Sequence, residues 1–445
     1  MSIGYNGGMV NIRKIVKSVI PTTLFKSIEP YGHLVEAIGT NIVYGFPSKN
    51  MHIIGVTGTN GKTTTSFMIH KMMVQAGIRT GLMTTVANGI DDNIKPQTVH
   101  MTTTSAPVLQ KRLRDFKKAG VQWVVLETTS HALAQHRVWG IPYEIAVLTN
   151  ITHEHLDYHG TFENYVRAKR WLFEIAAKNG RKFGAVNADD PSARAFLDVI
   201  PFATSYGVKN GFLRATNIKL HSDGSDFVAK IGKDSYDIHC NIPGEFNVYN
   251  SLAAVAVGRE IGLTKKQIED GIAALKGVEG RMTVVDEGQP FSVIVDFAHT
   301  PDAFERLLHD LRQSTKGKLI TLFGSAGRRD ETKRAIQGEI AGKYSDEVIL
   351  TEEDDRDVDG NEILAQIASG AEKSGKKKDK DLFLILDREE AIGFALTRAT
   401  KTADTVILLG KGHEKTIERA DGTYPWNEID VASTALQEKL KSQKK

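Results

Sequence analysis

Ile53-Ile54-Gly55-Val56-Thr57-Gly58-Thr59-Asn60-Gly61-Lys62-Thr63-Thr64-Thr65 is the stretch that decides the fold. An apolar run, a glycine-rich turn and a Gly-Lys-Thr opening a helical pattern read as buried strand, loop and helix start. Such a loop aims several main-chain N–H groups and a helix N-terminus at one point, which suits a phosphate. Lys62 is expected to reach the outer phosphates and the Thr63 hydroxyl to ligate Mg²⁺. Gly58, Thr59, Asn60, Gly61 and Thr64 complete the expected cradle. The spacing departs from the ordinary P-loop, because Val56 stands where that pattern has its first glycine, with Gly55 and Gly58 on either side. The stretch implies a protein that uses ATP or GTP.

Outward from this turn, apolar runs at Ile53–Val56, Trp123–Leu126, Ile145–Leu148 and Ala185–Asn187 read as buried parallel strands separated by helical stretches. That pattern predicts a doubly wound α/β domain with ligands at the carboxyl ends of its strands. Alternation across residues 211–242 predicts a small antiparallel insertion, and Asn250–Ile261 an alanine-rich helix. A Gly277–Gly280 loop reads as a hinge. A second, Rossmann-like α/β series follows, with strands at Ser292–Asp296, Lys318–Phe323, Glu347–Leu350, Phe383–Leu386 and Thr405–Leu409. The expected division is a short N-terminal segment (1–45), with a short helix near Ile12–Val19, a central nucleotide-binding domain (46–279) and a C-terminal domain (280–445).

The 445 residues suffice for two or three cores. With 57 basic and 54 acidic residues the net charge is +3, which is no electrostatic footprint for nucleic acid. Lys376-Lys377-Lys378 and the lysines from Lys439 to Lys445 read as solvated surface. Cys240 is the only cysteine, so no intrachain disulfide can form, and a reducing cytoplasm is the expected compartment. No run of about 18 apolar residues predicts a membrane span, and no signal peptide is read at the N-terminus.

Two further motifs face the same end of the sheet. Glu127 closes the strand Trp123–Leu126, a position suited to holding Mg²⁺ beside a phosphate turn. The segment Thr149-Asn150-Ile151-Thr152-His153-Glu154-His155-Leu156-Asp157-Tyr158-His159-Gly160 is dense in metal-capable side chains. Zinc is one reading. The absence of a thiolate and the nearby triphosphate turn favour Mg²⁺, with one histidine near the metal.

The ordered motifs TGTNGKTT, ETTSHAL, TNITHEHLDYHGTFENYVRAK, NADD, IPGEFNVYNSLAA, GRM, VDFAHTPDA, GRRDETKR and GKGHE closely resemble the Mur ligases, most specifically the muramyl-tripeptide synthetases (MurE type), over about residues 46–435. The resemblance implies an ATP-dependent, ADP-forming amide ligase of peptidoglycan precursor synthesis. A diamino acid would be joined to UDP-N-acetylmuramoyl-L-alanyl-D-glutamate through an acyl phosphate, with Mg²⁺ as cofactor.

Carried over by position, Lys62, Thr63 and Glu127 serve phosphate and a first Mg²⁺. His155 resembles the ligand of a second Mg²⁺, and Lys169 falls where the family carries a carbamylated lysine, which turns a cation into a carboxylate-like ligand. Asn150 and Asn247 resemble adenine-side residues, since amides offer donor and acceptor together. Arg281 and Asp296 resemble ATP contacts from the C-terminal domain, with His299 in the same loop. Thr102, Thr103, Ser130 and Arg137 resemble residues holding the muramoyl dipeptide. Arg329, Gly410 and Glu414 match the amino-acid pocket. Where the family's diaminopimelate signature is Asp-Asn-Pro-Arg, this chain has Glu353-Asp354-Asp355-Arg356. Arg356 could pair with a second carboxylate, favouring meso-diaminopimelate, while the extra acids would suit a lysine ammonium.

The N-terminus departs further from the family, since about 45 residues are too few for the usual uridine-nucleotide domain. A reduced version, a partner's contacts or a different substrate would each account for that. A related ligase of folylpolyglutamate or cyanophycin type, and a nucleotide-binding switch without ligation, are the competing functions. A cytoplasmic monomer without nucleic-acid or membrane partners is expected.

Overall fold

His52–Thr57 (β1) forms as the spacing predicts, and five of its six residues are buried. It lies between two parallel neighbours, the strands Trp123–Glu127 and Tyr143–Leu148. In chain order, β1 is followed by Thr80–Met83 (β2), Ala87–Ile90 (β3), Asn93–Pro96 (β4), Trp123–Glu127 (β5) and Tyr143–Leu148 (β6). Phe183–Asn187 (β7), Phe202–Gly207 (β8), Leu213–Leu220 (β9), Ser225–Ile231 (β10) and Asp234–Cys240 (β11) come next. Together they make one 11-stranded sheet in the order β11-β10-β9-β8-β7-β6-β1-β5-β2-β3-β4. The computed structural model describes residues 22–97, 101–152, 154–221 and 223–443. The helix expected near Ile12–Val19 and the histidine His153 lie outside the described residues.

Successive residues of the central strands face opposite sides, and both sides are covered. Ile54, Val56, Val125 and Ile145 pack with Met68, Met72 and Leu252 from the helices Lys62–Gln75 and Phe246–Glu260. Ile53, Val124, Leu126 and Ala146 pack with Leu113, Leu172 and Phe173 from the helices Ala106–Lys118 and Phe162–Ala176. The helix Thr22–Tyr44 lies beside Ala106–Lys118, and Asn41 Nδ2 donates to Trp139 O at 2.9 Å.

The antiparallel insertion forms as expected from β9, β10 and β11. It is continuous with the main sheet, because β9 pairs with β8 at Tyr206 and Leu213 and carries β10 and β11 onto its edge. The opposite edge ends in the hairpin β3–β4, which the sequence pattern does not announce.

The second sheet comprises Thr283–Val284 (β12), Ser292–Asp296 (β13), Leu319–Phe323 (β14), Glu347–Leu350 (β15), Leu382–Leu384 (β16) and Thr405–Leu409 (β17). Its order is β12-β13-β17-β14-β15-β16, and only β12 is antiparallel to its neighbour. Helices Pro301–Ser314, Thr332–Tyr344 and Gly360–Lys373 cover one face, and Arg388–Arg398 and Glu428–Gln443 the other. A hairpin of Thr416–Arg419 (β18) and Gly422–Pro425 (β19) follows β17. Arg388 and Glu428 are both fully buried and paired at 2.6 Å. The guanidinium also donates to the carbonyls of Glu352 (2.9 Å) and Leu409 (2.8 Å), tying the last helix to the ends of β15 and β17. Among the described residues no helix is long and apolar enough to cross a membrane.

Candidate active site

The nucleotide turn leaves the carboxyl end of β1. Gly58 has φ +148°, and a side-chain carbon there would collide with Thr149 Oγ1. Gly61, at φ +81°, ends the turn and precedes the helix Lys62–Gln75. Both positions need glycine for backbone reasons. Thr59 N donates to Asn150 O at 2.7 Å. Asn150 closes on the same turn with both edges of its amide, accepting from Asn60 N (2.9 Å) and donating to Asn60 O (3.0 Å). Its position in the sequence suggests an adenine contact, but in the structure its amide holds the phosphate turn. Lys62 Nζ donates to Thr59 O at 2.6 Å. Thr64 is buried and lines the adjoining cleft.

Glu127, at the end of β5, is 1% exposed and accepts from Thr63 Oγ1 at 3.0 Å. Thr85, missed in the sequence, adds its N–H at 2.9 Å and its hydroxyl at 3.0 Å. Hydroxyl and carboxylate oxygens at a phosphate turn form a donor set that fits Mg²⁺. Among the described residues no three His, Cys, Asp or Glu side chains gather as a ready-made metal cage. Phosphate and water oxygens would therefore have to complete the coordination.

Lys169 comes from the helix Phe162–Ala176 and is 2% exposed. Its Nζ donates to Gly58 O at 2.6 Å and lies 4.6 Å above the Tyr165 ring. Burial pushes its basicity well below the usual lysine value, and the Lys62 charge adds to that against Glu154 and Glu127. Tyr165 is a hub that the sequence did not reveal. Its hydroxyl lies 3.0 Å from Thr59 Oγ1, and the His155 ring is 6.3 Å from its own. Burial works to raise Glu154, but His155, Lys62 and His299 hold its carboxyl below the ordinary value. His155, at φ +57°, contacts the His131 ring at 4.6 Å. Lys62, Lys169 and His155 thus converge around one anionic site.

The residues assigned to the dipeptide also meet. Thr85 Oγ1 lies 3.0 Å from Thr102 Oγ1, which links Thr102 to Glu127. Thr103 Oγ1 donates to Glu127 O and accepts from Thr129 N, both at 3.0 Å. Arg137 donates to Thr103 O. Ser130 opens the helix Ser130–Ala134 beside them, with its Oγ 3.0 Å from His159 Nε2.

The C-terminal sheet closes the other side. Arg281 stacks on Phe297 at 4.8 Å and reaches Thr63 Oγ1 at 3.5 Å. Its buried Nε has no hydrogen-bond partner among the described residues. Asp296 accepts from Met282 N and Ala298 N, both at 2.8 Å, and burial raises its carboxyl. That bonding makes it the brace of the hinge turn. Gly280, at φ +68°, packs so closely on His413 N that no side chain fits. Asp302, also missed in the sequence, accepts from Asn60 Nδ2 (3.0 Å) and Thr152 Oγ1 (3.3 Å), bonding the two sheets' loops across the cleft. The cleft has a volume of about 1010 Å³ and is lined by Gly61, Asn247 and Asn250 on one side and Phe297, His299 and Arg306 on the other. Asn247 is held by Pro243 O (2.7 Å) and by Asn250 (2.8 Å). His299 Nδ1 bonds Phe297 O at 2.9 Å, and burial lowers its basicity.

Loops after β14, β15 and β17 bring Arg329, Asp354, Arg356, Gly410 and Glu414 to one end of the second sheet. Lys411 is fully buried and bridges Asp354 (2.8 Å) and Glu414 (2.7 Å). Burial opposes its charge, but the two carboxylates hold it protonated above the ordinary lysine value. Arg329 is exposed.

This arrangement matches known proteins. Residues 56–258 match the Mur ligase middle domain, and residues 280–412 the Mur ligase glutamate ligase domain. The chain is 42% identical over 409 residues to UDP-N-acetylmuramyl-tripeptide synthetase of Roseiflexus sp. (strain RS-1), covering 89% of this chain and 80% of that protein. It is 36% identical over 427 residues to UDP-N-acetylmuramoyl-L-alanyl-D-glutamate–2,6-diaminopimelate ligase 1 of Clostridium acetobutylicum, covering 95% and 86%. A solved structure of a UDP-N-acetylmuramoyl-L-alanyl-D-glutamate–2,6-diaminopimelate ligase superposes with TM-score 0.64 at 30% identity, covering 93% of this chain and 83% of that one.

Proposed function

The chain belongs to the Mur ligase family, and from that premise we propose how its residues carry out ATP-dependent ligation of a diamino acid to UDP-N-acetylmuramoyl-L-alanyl-D-glutamate. Its family relatives place it in peptidoglycan precursor synthesis as an ADP-forming amide ligase. The observation that best supports a ligase over a nucleotide switch is the convergence of three sets of groups on one end of the two sheets. These are a phosphate turn, a hydroxyl-and-guanidinium cluster for a carboxylate substrate, and a separate amino-acid pocket.

In this proposal the triphosphate lies along Gly58–Thr64, and adenine enters the cleft beside Asn247. Arg281 and Lys62 neutralise charge on the transferring phosphoryl group. Thr102, Thr103, Ser130 and Arg137 hold the dipeptide so that its glutamyl carboxylate oxygen faces the γ-phosphorus. That oxygen bonds to phosphorus as the bond to the ADP oxygen breaks. The amine of the diamino acid, held through Arg329 and Glu414, then adds to the acyl carbon and loses a proton, and phosphate leaves with its electron pair. Thr63, Glu127 and His155, with Lys169 as a carbamate, are the residues that would hold Mg²⁺. That ion supplies charge neutralisation for two anions brought together. Burial that disfavours the charged form of Lys169 favours the unprotonated amine that carbamate formation requires. Closure across the hinge near Gly280 excludes water from the acyl phosphate. The loops of both domains (46–279 and 280–445 in this proposal) contribute, and the protein acts in the cytoplasm as a monomer.

The test is phosphate release from ATP and Mg²⁺ with the UDP-muramoyl dipeptide, with and without diamino acids. Release that depends on a diamino acid, with a product of the matching mass, supports the ligase. Release indifferent to any amino acid refutes it in favour of a switch.

A further inference from the structure

At the amino-acid site of the proposed ligase the charges do not balance. Glu352, Glu353, Asp354 and Asp355 follow β15 in sequence and are each at most 9% exposed. Glu352 is met by Arg419 at 2.8 Å. Asp354 shares the single Lys411 ammonium with Glu414. Among the described residues no hydrogen bond or ion pair engages the Glu353 carboxylate, although the residue is only 8% exposed. It is aimed at the loop after β17, where a side-chain carbon on Gly410 would stand 2.6 Å from Glu353 Oε2. Asp355 accepts only a long contact from Glu353 N, at 3.4 Å. Two enclosed carboxylates that make so few bonds to the protein leave their oxygens open to the site, where a cation from outside the chain finds its counter-charge. In the neighbouring loop after β14, the Ser325 hydroxyl is also buried and has no partner among the described residues.

Arg356 tells the complementary half. Its Nε donates to Glu418 Oε2 at 2.7 Å and one terminal nitrogen to Gly327 O at 2.7 Å. Its main-chain N–H reaches Glu418 O at 3.1 Å. Glu418 is itself fixed, because its N–H donates to Asp354 Oδ1 at 2.9 Å. The guanidinium is therefore paired with an anion and two of its three nitrogens are engaged by the protein, whereas bidentate recognition of a second carboxylate is best served by a guanidinium free of both.

We propose, resting on the ligase reading above, that this site selects a diamino acid with one carboxylate and a side-chain ammonium over one with a second, distal carboxylate. Glu353 and Asp355 receive the ammonium, and Glu418 withholds Arg356. A distal carboxylate in the same place would meet like charge, and like-charge contact is how a site rejects a competitor. This reverses the preference for meso-diaminopimelate that Arg356 suggested in the sequence. Burial, with the charges of Glu352, Glu353 and Asp354, raises the Asp355 carboxyl to about 6. An ammonium beside it offsets that penalty.

The experiment compares kcat/KM for L-lysine, L-ornithine and meso-diaminopimelate, using the full chain with ATP, Mg²⁺ and the UDP-muramoyl dipeptide. A mono-carboxylate diamino acid should exceed meso-diaminopimelate by about tenfold or more, as one unpaired charge contact allows. In the variant Glu418→Gln the ratio should move toward meso-diaminopimelate. In Glu353→Gln the KM for the mono-carboxylate substrate should rise about tenfold while the KM for ATP stays constant. Thermal melts of both variants confirm that they are folded. A wild-type preference for meso-diaminopimelate, or a ratio unmoved in Glu418→Gln, overturns this inference and leaves the ligase standing. No stimulation by any of the three overturns both.

Discussion

Replacing Lys169 by methionine tests the chemistry at the phosphate turn. The lysine is 2% exposed, and its amine makes one hydrogen bond, at 2.6 Å to Gly58 O. Methionine keeps the stem volume and drops the amine. Losing the bond costs about 1 kcal/mol. Removing a buried basic group whose charged form is disfavoured returns about as much. The net change in stability should stay within about 1 kcal/mol, a melting shift of no more than roughly 4 °C. Activity should behave differently. The carbamate would be a ligand of the Mg²⁺ that neutralises the transferring phosphoryl, and losing one such electrostatic contact typically costs about 3–4 kcal/mol, or 10²- to 10³-fold in kcat. The assay is single-turnover phosphate release beside a thermal melt, repeated for the wild type in buffer stripped of carbon dioxide and then supplied with bicarbonate. Stripping should slow the wild type and bicarbonate should restore it, and formate or acetate should partly rescue Lys169→Ala. A Lys169→Met enzyme retaining more than roughly a tenth of wild-type activity, together with indifference to bicarbonate, would refute the carbamate.

Glu428→Leu should destabilise the protein by about 3–5 kcal/mol, because it leaves a fully buried guanidinium without its anion. Adding Arg388→Met should recover part of that loss in the same denaturant titration, because the carbonyls of Glu352 and Leu409 and the Trp426 indole N–H also lose their partners. Gly58→Ala should raise the KM for ATP at least about tenfold, since strain of roughly 1–3 kcal/mol falls on the phosphate turn. Nucleotide titration of the folded variant checks it, and unchanged affinity would count against the turn's role. Burial lowers His70 to about 4. The unfolded chain therefore binds a proton below about 6.5 that the folded chain refuses, so stability is full above that pH and falls as pH drops toward 4. The loss should be about 3 kcal/mol, and His70→Gln should flatten the dependence in melts at several pH values. Asp355, raised to about 6, adds negative charge to the amino-acid pocket only as pH rises through that value. The KM for a diamino acid with one carboxylate should fall between pH 5 and 7, a step that Asp355→Asn abolishes.

Strands β1, β5, β6, β13 and β17 were legible because parallel strands buried on both faces read as unbroken apolar runs. The β3–β4 hairpin was not, since its polar residues from Asn88 to Asn93 carry no alternation. Lys62, Thr63 and Glu127 could be placed together from strand ends alone. Tyr165 and Asp302 could not, because their partners Thr59 and Asn60 lie 106 and 242 residues away. The signature motif likewise offers Arg356 as a free guanidinium, while only folding shows Glu418, 62 residues on, bonded to its Nε. Asn150 looked like a base-reading amide because nothing local reveals that both of its edges are spent on Asn60.

The buried pair of Arg388 and Glu428 also has a meaning for descent. Either residue changed alone leaves a charge stranded in the core, whereas both changed together remove the charge and its anion at once. A lineage cannot walk from one solution to the other in single viable steps. Across related chains the two positions should therefore change in concert or stay fixed, and a homologue carrying only one of them should show a third residue that has moved in to answer the charge.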